Sequence, residues 1–310
     1  AFFADALLKS QDYFSPGASA LSLAFGAISA FWVADLELGG AWMTKHVMPV
    51  AIVLLGFGLD VSLFGRSEVG VVGLSIAGLA VVICLSSSYW LGRMLGLEPS
   101  TAIAIGAGGA ICGNSAVIAV APSLRLSEDR FAVILAMVNL LGLATFAGIP
   151  VLSAVLGFSQ VQGGIWAGAV VHAVPQAVAA GESIGDDALI IATAVKLFRV
   201  SLLIFVVPLC AWIGGRIHPS DSEVRGRFPV PYFVPGFVLA ACLSTWVLPG
   251  AVSAAFMDMA RLLLIPLLAA VGFFINKKSI QHAGGAVLTV GLISTILMVL
   301  FTFFALLLLS

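Results

Sequence analysis

Charged side chains are scarce in this sequence. Asp, Glu, Lys and Arg make up 9% of 310 residues, against 61% apolar residues, and mean hydropathy is +1.16. So little polar material cannot cover a globule of this size in water, which excludes an ordinary soluble fold and makes lipid the main solvent. Cysteine is scarce too. Cys84, Cys112, Cys210 and Cys242 lie singly in apolar runs without CxxC spacing, which excludes a disulfide framework or a cysteine-bound zinc. No GxSxG, HExxH or paired-Asp signature occurs, so the common intramembrane enzyme chemistries lack their motifs and no cofactor is expected. A formal net charge of −1 offers nothing to a nucleic acid or other polyanion. Residues 1–15 lack the order of charge and apolar core that marks a signal peptide.

What is present is apolar length. In lipid every backbone N–H and C=O must be satisfied internally, which leaves helices or a closed barrel. The runs show no period-2 alternation and are long enough for helices. Ten can be drawn, at 17–34, 46–64, 69–95, 100–122, 130–156, 163–181, 188–214, 230–248, 259–275 and 283–309. The expected fold is therefore an all-α integral membrane protein of about ten transmembrane helices. Residues 1–310 are expected to form one transmembrane domain in the cell inner (plasma) membrane, with a lead-in at 1–16 and an aqueous loop at 215–229.

Two weak internal repeats point to duplicated, inverted halves with interrupted helices, a pattern of secondary transporters. Asp129, Pro150 and Gly157 match Asp187, Pro208 and Gly215 at an offset of 58, and Ala116, Val117 and Ala119 match Ala177, Val178 and Ala180 at 61. Gly56-Phe57 matches Gly272-Phe273 at 216, which sets Asp60 on Asn276. Lys196 and Arg199 lie inside a helix, and ten full crossings split the other twelve basic residues 5 against 7. If 163–181 instead enters and leaves on one face, the split is 9 against 3, with Lys45, Arg93 and Arg261 on the poor side. The positive-inside rule prefers that arrangement.

Three segments carry candidate chemistry. In 106–122, four glycines within eight residues permit a helix break and a new helix N-terminus near Gly113–Ser115. Such a terminus is an anion site by its free N–H groups and dipole; Cys112, Gly113, Asn114 and Ser115 would contribute. Close helix packing explains the glycines equally well, but it has no need of Asn114. In 171–183, His172 and Gln176 are four apart, so they share a helix face. Pro175 frees the carbonyl of Val171, and Glu182 follows. His172 suits substrate binding or ion coupling, as does Glu182 for coupling, and a hydrogen-bonded core histidine is the plain alternative. In 193–201, Lys196 and Arg199 lie about 13 and 18 Å along the helix from Asp187. Charges so deep need carboxylates or a polar cavity, so either an anionic substrate or a salt bridge to Asp60 or Glu182 is expected.

These segments carry a family resemblance. ICGNSAVIAVAP resembles the ICGASAIAAVAP-type signature of the YeiH-like sulfate exporter family. VVHAVPQAVAAG is similar to its SIHEVAQVVAAG, ATAVKLFRVSLL to its AxIVKLxRVxLL, and KHVMPVAIVLLGFGLDVS to its KxLLRLGIVLLGxRLS; RFPVPYFVPGF also has a counterpart. The resemblance runs from about Lys45 to the C-terminus. It implies a carrier with inverted repeats, distantly like Na⁺/H⁺ antiporters and bile-acid symporters, that moves sulfate or a related small anion. It also implies one further N-terminal helix. The chain departs from the pattern at Asn114, Ala173 and Pro175, all within the candidate site.

The sequence thus reads as a secondary transporter, an exporter, of a small anion such as sulfate or a related sulfur oxyanion or sulfonate. The expected substrate-binding residues are Cys112, Gly113, Asn114, Ser115, His172, Gln176, Lys196 and Arg199. H⁺ or Na⁺ would couple at His172 and Glu182, and a homodimer is a further expectation. The alternative is a cation/proton antiporter, or an ion-coupled symporter of small carboxylates or bicarbonate. An antiporter wants a central carboxylate pair, which the sequence lacks.

Overall fold

The structure, a computed structural model, describes residues 18–30, 32, 36–59, 61–64, 68–217, 233–273 and 285–308. Every regular element among them is helical: α1 (Ala18–Ser29), α2 (Leu36–Leu55), α3 (Gly73–Met94), α4 (Pro99–Ala110), α5 (Asn114–Leu124), α6 (Glu128–Val155), α7 (Gln160–Val170), α8 (Val174–Ile184), α9 (Asp186–Ser201), α10 (Leu203–Ile217), α11 (Phe233–Trp246), α12 (Gly250–Gly272) and α13 (Gly285–Leu307). Short 3-10 and π turns flank α2 and α3. Among the described residues, six stretches are long and apolar enough to cross a bilayer: 39–58, 70–94, 128–155, 186–217, 250–272 and 285–307. Leucine, valine, phenylalanine and tryptophan side chains stand exposed on the outer helix faces, as a lipid-facing surface requires.

Local chemistry sets the helix starts. Ser159 and Gln162 form a reciprocal capping box at α7. α6 opens on Glu128-Asp129 and α9 on Asp186-Asp187, acidic first turns that favour the positive end of the helix dipole. The Asp129/Asp187 match therefore marks two equivalent helix starts, 58 residues apart, while α4 and α7 start 61 apart. A broken pair of short helices followed by a long one occurs twice. The matched Asp60 and Asn276 lie outside the described residues, as do the lead-in at 1–16 and most of the loop at 215–229. The loop's first three residues complete α10, which runs to Ile217.

The ten-crossing expectation is corrected at two segments, because each is a hairpin that leaves by the end at which it enters. At the mouth of the first, Arg130 at the start of α6 pairs with Glu98 and bonds Thr101 at the start of α4. Ser123 near the end of α5 packs on Gly214. At the mouth of the second, the Gln160 side chain lies against Gly185, and its Oε1 accepts a bond from the Asp187 N–H at 3.0 Å. Each arm has 11 or 12 residues, about 16–18 Å at 1.5 Å per residue. That is roughly half of a ~30 Å hydrocarbon core. The hairpins come from opposite ends, since α9–α10 runs from the mouth of the second to the mouth of the first. Their tips, 111–113 and 171–173, meet at mid-depth.

The same topology redistributes the charges. Arg93, Arg125, Arg130 and Arg216 end or begin the helices at the first mouth, and Arg261 pairs with Asp186 toward the second. Arg93 thus shares a side with Arg125, Arg130 and Arg216, where the sequence had set it beside Arg261. Helices α1, α2, α11 and α12 pack as one group, while the hairpins, α3, α6, α9, α10 and α13 form another.

The hairpin topology predicts a labelling pattern. In a Cys242→Ala background, Leu95→Cys and Ser127→Cys should react with an impermeant maleimide from one side of sealed vesicles. Leu156→Cys and Asp187→Cys should react from the other. Labelling of the first pair from opposite sides would restore a full crossing at 100–122.

Candidate functional site

Each hairpin tip breaks one helix and starts another, so each exposes carbonyls on one arm and N–H groups on the next. The carbonyls are met by two cations. Lys196 and Arg199 are fully buried and three residues apart on α9, one face of one helix. Lys196 Nζ donates to the carbonyls of Ile111 (2.5 Å) and Val171 (2.7 Å). Arg199 donates through Nε to Ala110 (2.8 Å), through one terminal nitrogen to Gly168 (3.2 Å) and Val171 (3.3 Å), and through the other to Gly109 (2.9 Å) and Ala110 (2.5 Å). At the end of α4 the accounting is complete, because Ala107 and Gly108 accept from the N–H groups of Ile111 and Gly113. The two arms α4 and α7 thus present their negative dipole ends to the cations.

Close approach makes this reach possible. A Cβ on Gly168 would stand 2.6 Å from the Ala192 carbonyl oxygen, so only glycine lets α9 lie against α7 here. The turn itself needs Gly113, whose φ of 70° lies where L side chains are disfavoured.

The N-terminal arms face the other way. α5 begins at Asn114 and α8 at Val174, with Pro175 in the first turn of α8. The N–H groups of Ala116 and Val117 return to the Gly113 carbonyl, and that of Ala177 to Ala173. The backbone N–H groups of Asn114, Ser115, Val174 and Gln176 have no acceptor among the described residues, and all four residues line one cavity of about 90 Å³. Cys112, Asn139, Ala173 and Pro175 join them on the hairpin side. Thr44, Met48, Val200, Phe233 and Val271 complete the wall. Asn114 donates to Asn139 Oδ1 at 2.8 Å. The Asn114 Oδ1 and Gln176 Oε1 atoms are buried without a partner. Side-chain amides can turn to present either oxygen or nitrogen, so turning either amide would bring a donor or an acceptor to this wall.

The structure therefore divides the expected site residues. Cys112, Asn114, Ser115 and Gln176 line the cavity, with Gly113 as the turn beneath them. His172 does not share a face with Gln176. Pro175 has no N–H to give and occupies the first turn of α8, where none is needed; α8 therefore starts at Val174 and leaves His172 in the tip. There it is fully buried, with Nε2 3.2 Å from Thr295 Oγ1 and Nδ1 3.5 Å from Thr145 Oγ1. Lys196 and Arg199 lie behind the tips rather than on the cavity wall; among the described residues their partners are main-chain carbonyls, with Met298 Sδ 3.9 Å from Arg199. Glu182 sits eight residues beyond Val174, about 12 Å along α8, toward the second mouth. Asn139 was missed, although an amide in the run 131–146 is the costly intramembrane polar group that marks a site.

The family described as Conserved hypothetical protein 698 matches residues 3–291. A UPF0324 membrane protein of Agrobacterium fabrum is 34% identical over 268 residues, covering 86% of this chain and 76% of that protein. One from Bradyrhizobium diazoefficiens is 34% identical over 266 residues, covering 84% and 75%. One from Oceanobacillus iheyensis is 30% identical over 265 residues, covering 84% and 77%. No solved structure matches the chain.

The buried cations give a ranked stability prediction for the ligand-free protein. Arg199→Met strands the carbonyls of Gly109, Ala110 and Gly168 and should cost about 3–5 kcal/mol. Lys196→Met strands chiefly Ile111 and should cost about 1–3 kcal/mol. Melting temperature in detergent reads both. An unchanged or raised value in either variant would mean that the cations are not held by these carbonyls.

Proposed function

The chain belongs to the Conserved hypothetical protein 698 family, the UPF0324 membrane proteins, and we propose that it is a secondary transporter of a small anion. The observation that carries this reading is the set of four open backbone N–H groups, from two helix N-termini, around one cavity. Oriented N–H groups at helix termini bind anions without any cationic side chain. Lys196 and Arg199, directly behind, keep the local potential positive while making no contact with the ligand. Asn114, Ser115 and Gln176 fix its orientation, and Asn139 positions Asn114.

The two broken-helix units, run in opposite senses, are read as inverted repeats, and the inner (plasma) membrane as their setting. The cavity lies where the hairpin group meets the group of α1, α2, α11 and α12. Movement of one group against the other would open it to each side in turn. The resemblance to sulfate exporters suggests a sulfur oxyanion or sulfonate and export as the direction. H⁺ or Na⁺ would drive the cycle. Neither coupling candidate, His172 or Glu182, touches the cavity, so coupling through them would act by repositioning the tips. An antiporter of cations is the weaker reading, because among the described residues no Asp or Glu lines the cavity. No catalytic constellation suggests an enzyme.

Proteoliposome flux tests this assignment. Asn114→Leu and Gln176→Leu keep approximate size and delete the amides, so each should cut anion uptake at least tenfold while the ligand-free melting temperature holds. Wild-type flux in both variants would return the cavity to a packing defect.

A further inference from the structure

The cavity has two unlike walls. The hairpin side carries the four open N–H groups and the amides of Asn114, Asn139 and Gln176. Gln176 is 3% exposed, and its Oε1 is buried against Gly142 of α6 without a partner. The facing side is Met48, Val200, Phe233 and Val271. Its one hydroxyl, Thr44, already donates to the Gly40 carbonyl at 2.7 Å. Among the described residues the donors lie on one wall only, which does not suit a tetrahedral oxyanion with equivalent oxygens around its whole surface. Some of those oxygens would press on Met48, Phe233 and Val271 and lose water without a replacement.

Charge points the same way. Two helix N-termini offer about half a unit of positive charge each, together near one unit. Lys196 and Arg199 stay behind the tips, bonded to carbonyls, so the wall offers the ligand no direct ion pair. The room, about 90 Å³, is several times the roughly 10–15 Å³ that one water needs. It accommodates a head and a short arm.

We infer that the cavity's ligand is a short organic monoanion, a sulfonate or carboxylate head on an apolar arm, rather than an inorganic dianion. The head sits between the starts of α5 and α8, and the arm lies against Met48, Phe233 and Val271. This rests on the anion reading above and narrows it.

The test is a binding series on the purified full chain, by calorimetry or melting shift. The ligands are methane- to butanesulfonate, acetate to valerate, and sulfate. Affinity should rise about fourfold per methylene within the better-bound series until the cavity is filled, and its longer members should exceed sulfate. Preference for either head at equal arm length identifies the head and supports the inference. Met48→Gln and Val271→Asn should flatten the rise and leave methanesulfonate or acetate binding within about twofold. Sulfate binding tighter than every organic anion, or affinity independent of arm length, overturns this inference and leaves the anion transporter standing. Binding by no anion in the series removes both.

Discussion

Everything at the centre of this protein depends on two buried cations held by main-chain carbonyls. A helix broken in mid-membrane leaves carbonyls that lipid cannot satisfy. Here two breaks, arriving from opposite ends, bring their carbonyls to one place. Lys196 and Arg199 answer them with seven bonds to five carbonyls. The arrangement works in both directions, because the same carbonyls and dipole ends are what make two neighbouring positive charges tolerable without a carboxylate.

Satisfying one side of each break frees the other. With the ends of α4 and α7 tied to α9, the starts of α5 and α8 are fixed in position and their N–H groups stay open. Gly113 supplies the left-handed turn, Pro175 fixes where α8 begins, and Gly168 lets α9 approach. On the proposed reading the binding surface is made from backbone and amide side chains, and the strong charges act from behind it. Such a site can hold a monoanion and release it, since no full ion pair has to be broken.

Much of this was legible in the sequence. The glycines of 106–122 and the costly Asn114 located the first break and the start of α5. The bias of basic residues located the second hairpin, because its parity moves charges between faces. The first hairpin was not legible, since its 26 residues (99–124) are also a plausible single crossing. The partners of Lys196 and Arg199 were not legible at all. Sequence reasoning looked for carboxylates or a bound anion, and a carbonyl acceptor has no side chain to announce it. Nor could Met48, Phe233 and Val271 be told from dozens of other apolar residues before the packing of α2, α11 and α12 set them around the cavity.

The central claim is that the anion rests on the open N–H groups while the cations stay bound to carbonyls. A crystal structure with 2-bromoethanesulfonate, phased on the bromine anomalous signal, tests it most directly. The account predicts a sulfonate within hydrogen-bonding distance of the Asn114, Ser115, Val174 and Gln176 N–H groups. Bromine should lie toward Phe233 and Val271, with the bonds of Lys196 and Arg199 to the tips intact. A sulfonate in contact with Lys196 or Arg199, with those carbonyl bonds broken, would contradict it.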